Sequence, residues 1–154
     1  DGGNVVQLTQ GGDHYAPAWS PDGQAIAYVD GTSLRLVSPD GEDLGMVPVG
    51  SSRPREPSWS PDSRRLVFFD EVENDIWVVN RDGSGLRNLT AVHDGGSERS
   101  PAWSPDGKWI AFLNTLPAPR GTILSKVRPD GSDMREIIDL QLPAEERIDW
   151  GPRQ

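Results

Sequence analysis

Apolar residues in this chain come in short runs, each bounded by polar stretches rich in Pro, Asp, Ser and Gly. The densest runs are "QAIAYVD" at 24–30, "RRLVFFD" at 64–70 and "KWIAFLN" at 108–114. They are too short for a typical helix and rich in β-branched and aromatic residues, which predicts buried strands. A second set follows after a variable gap: "SLRLVS" at 33–38, "DIWVVN" at 75–80 and "TILSKV" at 122–127. A third set closes each unit: "LGMVPV", "LRNLT" and "MREIIDL". Asp-Gly pairs separate the second and third sets, at Asp40-Gly41, Asp82-Gly83 and Asp130-Gly131. Asp-Gly between two β-rich runs is a strong hairpin signal, because glycine accepts the positive φ that such turns need.

Each densest run is also preceded by the same phrase: APAWSPDG, EPSWSPDS and SPAWSPDG. A short strand ends in Trp-Ser, and Pro-Asp-Gly turns the chain into the next strand. Trp19, Trp59, Trp103 and Trp150 recur at spacings of 40, 44 and 47 residues. Four short antiparallel strands per unit of this length describe a β-propeller blade. A β-sandwich also has short strands and regular turns, but it does not require one Trp-Ser-Pro-Asp phrase in every unit. The fold class is therefore all-β, an arc of three complete blades at about 16–49, 57–90 and 101–140 within a single domain, 1–154. One extra strand is expected at each end. "GNVVQLT" (3–9) matches a fourth strand, and "RIDWG" (147–151) matches a first strand opening a partial blade at 147–154. Such an arc leaves the faces of its outer blades open, so further blades or other chains are expected to complete it.

The phrase "PAWSPDGKWIAF" at 101–112, the third strands with their Asp-Gly turns, and "LRNLT" at 86–90 resemble the WD40-like PD40 repeat. That repeat builds TolB-type propellers and resembles the propeller domains of prolyl-oligopeptidase-type peptidases. Ser63 departs from the pattern where the turn glycine is expected, and "DWGPRQ" lacks the turn residues altogether. The resemblance implies a propeller that binds another protein, in a periplasmic or extracellular setting. It does not select a function by itself, because one fold hosts many.

Composition narrows the chemistry. A net charge of −9 repels phosphate backbones, so no nucleic-acid partner is expected. No cysteine is present, which removes disulfides, zinc–thiolate sites and thiol catalysis. No apolar run is long enough for a membrane-spanning helix, so no membrane insertion is expected. There is no Gly-x-Ser-x-Gly elbow and no metal-binding His motif, and the two histidines, His14 and His93, lie in loops before first strands. No catalytic residue, metal ligand or cofactor is therefore assigned. The acidic loop "DEVENDIW" (70–77) leaves Ca²⁺ as an alternative, since that ion takes oxygen ligands. Asn88-Leu89-Thr90 matches a glycosylation sequon, but the repeat itself explains the Leu-Thr pair. Trp19, Trp59 and Trp103 are expected to pack between blades, and Trp77 and Trp109 to be core or half-exposed.

Strand order places both kinds of turn on one face. The loops between second and third strands, and those between blades, lie on the other. The second face varies in sequence, and variable loops on a rigid scaffold are the usual site of recognition. His14, Tyr15, Arg55, Glu56, Glu98 and Arg99 stand just before first strands, so they are expected to ring the inner edge and bind a partner. The reading is a non-catalytic scaffold for a protein partner, oligomeric or part of a complex. Two alternatives remain: a gating propeller of a peptidase, and a small-ligand or calcium-binding propeller.

Overall fold

The structure is a computed structural model that describes residues 5–91 and 96–140. Among these residues twelve strands form three four-stranded antiparallel sheets, each with strands in sequence order from one edge to the other. Blade one comprises β1 (His14–Trp19), β2 (Ile26–Asp30), β3 (Ser33–Val37) and β4 (Asp43–Val47). Blade two comprises β5 (Pro54–Trp59), β6 (Arg65–Asp70), β7 (Asp75–Asn80) and β8 (Arg87–Asn88). Blade three comprises β9 (Ser97–Trp103), β10 (Ile110–Leu116), β11 (Gly121–Val127) and β12 (Arg135–Leu140). The first strands β1, β5 and β9 lie side by side, so they form the inner edge of a propeller arc.

The Trp-Ser-Pro-Asp phrase is a hydrogen-bonded loop. Ser20 Oγ is 2.6 Å from Asp22 Oδ1 and accepts the amide of Ala25 at 2.9 Å. Ser60 with Asp62 and Arg65, and Ser104 with Asp106 and Trp109, repeat this arrangement. The three serines are almost fully buried, so the hydroxyl satisfies backbone donors that water cannot reach. Ser63, the departure from the turn glycine, holds φ +58°. Its Oγ accepts the Asp22 amide of blade one at 3.0 Å, a cross-blade bond that glycine could not make.

The blades stack through apolar faces. Between blades one and two, Trp59, Leu66, Phe68 and Val79 pack against Ala27, Leu34, Leu36 and Val47. Between blades two and three, Trp103, Ile110, Phe112 and Val127 pack against Val67, Phe69, Ile76 and Val78. The cross-strand rows explain the repeat. Trp59 pairs with Leu66 and Leu66 with Val79; Trp103 pairs with Ile110 and Ile110 with Val127. Opposed residues share a face, so each blade turns its tryptophan row toward the preceding blade.

Blade one has the same row, Trp19–Ile26–Val37, but among the described residues no preceding blade receives it. Trp19 is 60% exposed, whereas Trp59 and Trp103 are each 6% exposed. The expectation of inter-blade packing thus fails for Trp19, because its docking surface is absent from the described residues. Leu8 covers part of this face, packing on Ile26, Tyr28 and Val37. Leu8 also approaches Gly41 as Leu89, just beyond β8, approaches Gly131 of the next blade. Residues 5–10 therefore occupy the position of a preceding blade's outer segment. They form no strand, since the third-type strand that would pair with them is missing from the described residues. The strand expected at 147–151, its Trp150, and residues 3 and 4 of the opening segment lie outside the described residues.

The Asp-Gly turns are equally constrained. Gly83 has φ +85°, and a Cβ there would lie 2.4 Å from Pro48 Cδ, a ring that cannot move aside. Gly31 has φ +59° with open space around it. Gly83→Ala is expected to cost about 3 kcal/mol, strain and clash together, and Gly31→Ala about 1 kcal/mol. Urea unfolding of the two variants measures the difference.

Candidate functional site: the inner-edge cleft

Each first strand carries a β-bulge just before its tryptophan, where the pairing with the second strand slips. The bulges hold Ala16, Glu56 and Ser100 at φ +51°, +50° and +53°. Three non-glycine residues in the left-handed region, all three positions before the repeat tryptophan, mark a designed feature of the blade. Bulges re-aim the side chains around them, and this one acts at the inner edge.

The bulges of all three blades contribute to one cleft of about 440 Å³, lined by Tyr15, Arg55, Glu56, Phe69, Glu71 and Arg99 among others. Arg55 organises it. Its Nη2 pairs with Glu71 at 2.7 Å, its Nη1 donates to the Gly31 carbonyl at 3.2 Å, and its guanidinium lies 5.0 Å from the Tyr15 ring. The Tyr15 hydroxyl donates to the same Gly31 carbonyl at 2.8 Å. Glu56 reaches the next blade, accepting the Ser100 amide at 2.7 Å. Arg99 is the least committed. It is exposed, 5.9 Å from the Phe69 ring, with Nε 3.4 Å from Ser97 Oγ.

Four of the six residues expected at the inner edge, Tyr15, Arg55, Glu56 and Arg99, therefore line one cleft. His14 lies beside it, 3.5 Å from Asp30 and edge-on to the Tyr28 ring. Glu98 is a correction: it is 3% exposed and unavailable to a partner. Counted back from the tryptophan, Glu98 aligns with His14 and buried Pro54, not with Glu56. A shift of one residue turns a strand side chain to the other face. Inside, Glu98 stands opposite Asn114, and neither Glu98 Oε2 nor Asn114 Oδ1 finds a hydrogen-bond partner among the described residues. Burial, reinforced by the Asp75 charge, raises its pKa to about 7. His93 lies outside the described residues.

The acidic loop's side chains bond to groups of the chain itself. Asp70 accepts the Arg53 and Glu73 amides, Glu71 pairs with Arg55, and Asn88 donates to both Glu73 and Asp75. Among the described residues no group of three or more acidic or His side chains is placed to hold a metal ion. Asn88 and fully buried Thr90 of the apparent sequon are held in the same local network. The cleft offers charge, aromatic surface and hydrogen-bonding groups for recognition.

The family model for the TolB beta propeller domain matches residues 1–117. The Tol-Pal system protein TolB of Anaeromyxobacter dehalogenans (strain 2CP-C) is 37% identical over 100 residues, covering 59% of this chain and 22% of that protein. The uncharacterized peptidase YuxL of Bacillus subtilis is 30% identical over 95 residues, covering 53% of this chain and 14% of the peptidase. The chain thus spans about a fifth of the length of such TolB relatives. Among solved structures, a nidogen/laminin complex matches with TM-score 0.65 and 16% identity, covering 78% of this chain and 46% of that one. A gluconolactonase of Xanthomonas campestris matches with TM-score 0.63 and 19% identity, covering 82% and 47%. At such identities these two share the fold alone.

Proposed function

Since the chain belongs to the PD40 family of TolB β-propeller domains, we propose that it is a non-catalytic scaffold whose inner-edge cleft binds another protein. The observation that carries this reading is the convergence of Tyr15, Arg55, Glu56 and Arg99, from three separate blades, on one cleft. Aromatic and arginine side chains are enriched where proteins recognise one another. The TolB relatives are named for the Tol-Pal system, so a component of such a system is the partner class we favour. Further blades complete the scaffold at the open Trp19 face. A periplasmic setting follows from the same family reading, and no helix among the described residues is long and apolar enough to cross a membrane.

Arg99 is the place to test this, because it supports little of the fold. With the Pal component of the Anaeromyxobacter system as the probe, titration calorimetry should show saturable binding. Arg99→Glu should weaken it by about tenfold or more, the effect of losing a charge-assisted contact and gaining repulsion. Absence of binding, or equal affinity in the variant, would remove the reading. The second reading, a propeller gating a peptidase, rests on the likeness to YuxL alone, which involves only a small part of that protein.

A further inference from the structure

On the opposite face, among the turns, blades two and three enclose a second cleft of about 460 Å³. Its walls carry Arg65 and Arg87 from blade two and Lys108 and Arg128 from blade three, against the single carboxylate of Asp130. This is a concentration of positive charge in a chain of net charge −9. Asp130, ionised and held by the Ser132 amide and hydroxyl at 2.9 and 2.6 Å, offsets only one of these four charges.

The arginines are held mainly by neutral groups. Arg87 Nη1 donates to the backbone carbonyl of Asp130 at 3.0 Å, and Arg65 lies 4.7 Å from the centre of the Trp103 ring. Arg128 lies 3.8 Å from the centre of the Trp109 ring and donates to the Lys108 carbonyl at 3.3 Å, with Asp133 more distant at 3.7 Å. Neither Arg65 nor Arg87 takes part in an ion pair among the described residues. Stacking and carbonyl contacts hold the guanidiniums in place ahead of any ligand.

The blade repeat does not demand these cations. At the equivalent seam between blades one and two, Ala25 and Gly45 stand where Arg65 and Arg87 stand, and Asn80 replaces Arg128. The cleft there is lined instead by Asp22, Asp62 and Asp82 with Arg64 and Arg81. Two seams of one architecture thus carry opposite balances of charge, which points to a local role for the basic one.

We propose that the cleft between blades two and three binds a small multivalent oxyanion, a phosphate ester or a polycarboxylate, through Arg65, Arg87, Lys108 and Arg128. Planar guanidinium forks match the oxygen pairs of both groups, and the cleft volume suits a small molecule. The site lies on the face opposite the protein-binding cleft and stands independently of it.

Titration calorimetry at constant ionic strength, with pyrophosphate and with citrate as separate probes, tests the proposal. Saturable binding of at least one probe is expected, and the preferred probe identifies phosphoryl or carboxylate as the group recognised. Arg87→Gln with Lys108→Gln should weaken that binding about tenfold, whereas Arg64→Gln with Arg81→Gln should leave it unchanged. In the unmodified chain, amide NMR shifts on titration should concentrate at Arg65, Lys108 and Arg128, a readout that needs no variant to fold. No saturable binding of either probe, equal weakening in both double variants, or shifts centred elsewhere would overturn the site.

Discussion

Replacing Trp59 with alanine should destabilise the chain by about 4 kcal/mol, while the same change at Trp19 should cost less than about 1 kcal/mol. The two residues hold one repeat position and differ in what lies against them. Trp59 is 6% exposed in the seam between blades one and two, its Nε1 donates to the Ala18 carbonyl at 3.0 Å, and Arg81 covers its ring at 5.7 Å. Its removal leaves a cavity lined by both sheets. Trp19 has an identical place in its own blade but faces outward, so its truncation removes little buried surface. Denaturant unfolding of the two variants reads the contrast directly. The measurement is made at concentrations where the chain is monomeric, and similar losses there would mean that the chain itself covers Trp19.

Glu98→Gln should stabilise the chain by about 2 kcal/mol at pH 7.5. Burial raises the Glu98 pKa from the ordinary 4.5 to about 7, so between those values the folded chain holds a proton that the unfolded chain has released. Stability from this group is therefore fully present below about 4.5 and is lost as pH rises through 7. Glutamine keeps an acceptor and supplies a donor for the unpaired Asn114 Oδ1 facing it. The turn aspartates act in the reverse sense. Bonds from Ser20, Ser60, Ser84 and Ser132 lower the pKa values of Asp22, Asp62, Asp82 and Asp130, so their contribution is lost as pH falls below the ordinary 3.8. The unmodified chain should gain stability on acidification from pH 8 to pH 5 and lose it below about 4, while Glu98→Gln should lose the first effect and keep the second. Urea midpoints across that range measure both, and parallel curves for the two proteins would refute the assignment to Glu98.

The strands were legible because their borders are chemical: Pro-Asp-Gly and Asp-Gly can hardly be anything but turns, and the tryptophan set the frame for counting. The stacking of blades followed from that frame. Glu98 was misplaced because the charged pairs were matched by type rather than by distance from Trp103, and one position decides the face of a strand. The bulges could not be read at all. Ala16, Glu56 and Ser100 share only their spacing, and none is a residue type that announces positive φ. The basic cleft was hidden for a different reason. Arg65 and Lys108 fall at different positions of the repeat, and only the stacking of two blades makes them neighbours. Ser63 looked like a defect in its turn until the bond to Asp22 gave it a partner in the preceding blade.

The central claim is that every blade presents a tryptophan row to the blade before it, and that in blade one no described residue fills this joint beyond the partial cover of Leu8. Alongside Trp19, the face carries buried Tyr28 beneath Leu8, half-buried Arg35 and exposed Met46, with Val5 and Val6 close by in sequence to Leu8. An apolar surface of this kind marks a contact waiting to be made. Light scattering across a concentration series of this polypeptide is the most direct measurement, compared with Trp19→Lys. The account predicts a folded species whose mass rises above the monomer with concentration, and a variant held at the monomer. A folded, strictly monomeric wild type at every concentration would contradict it.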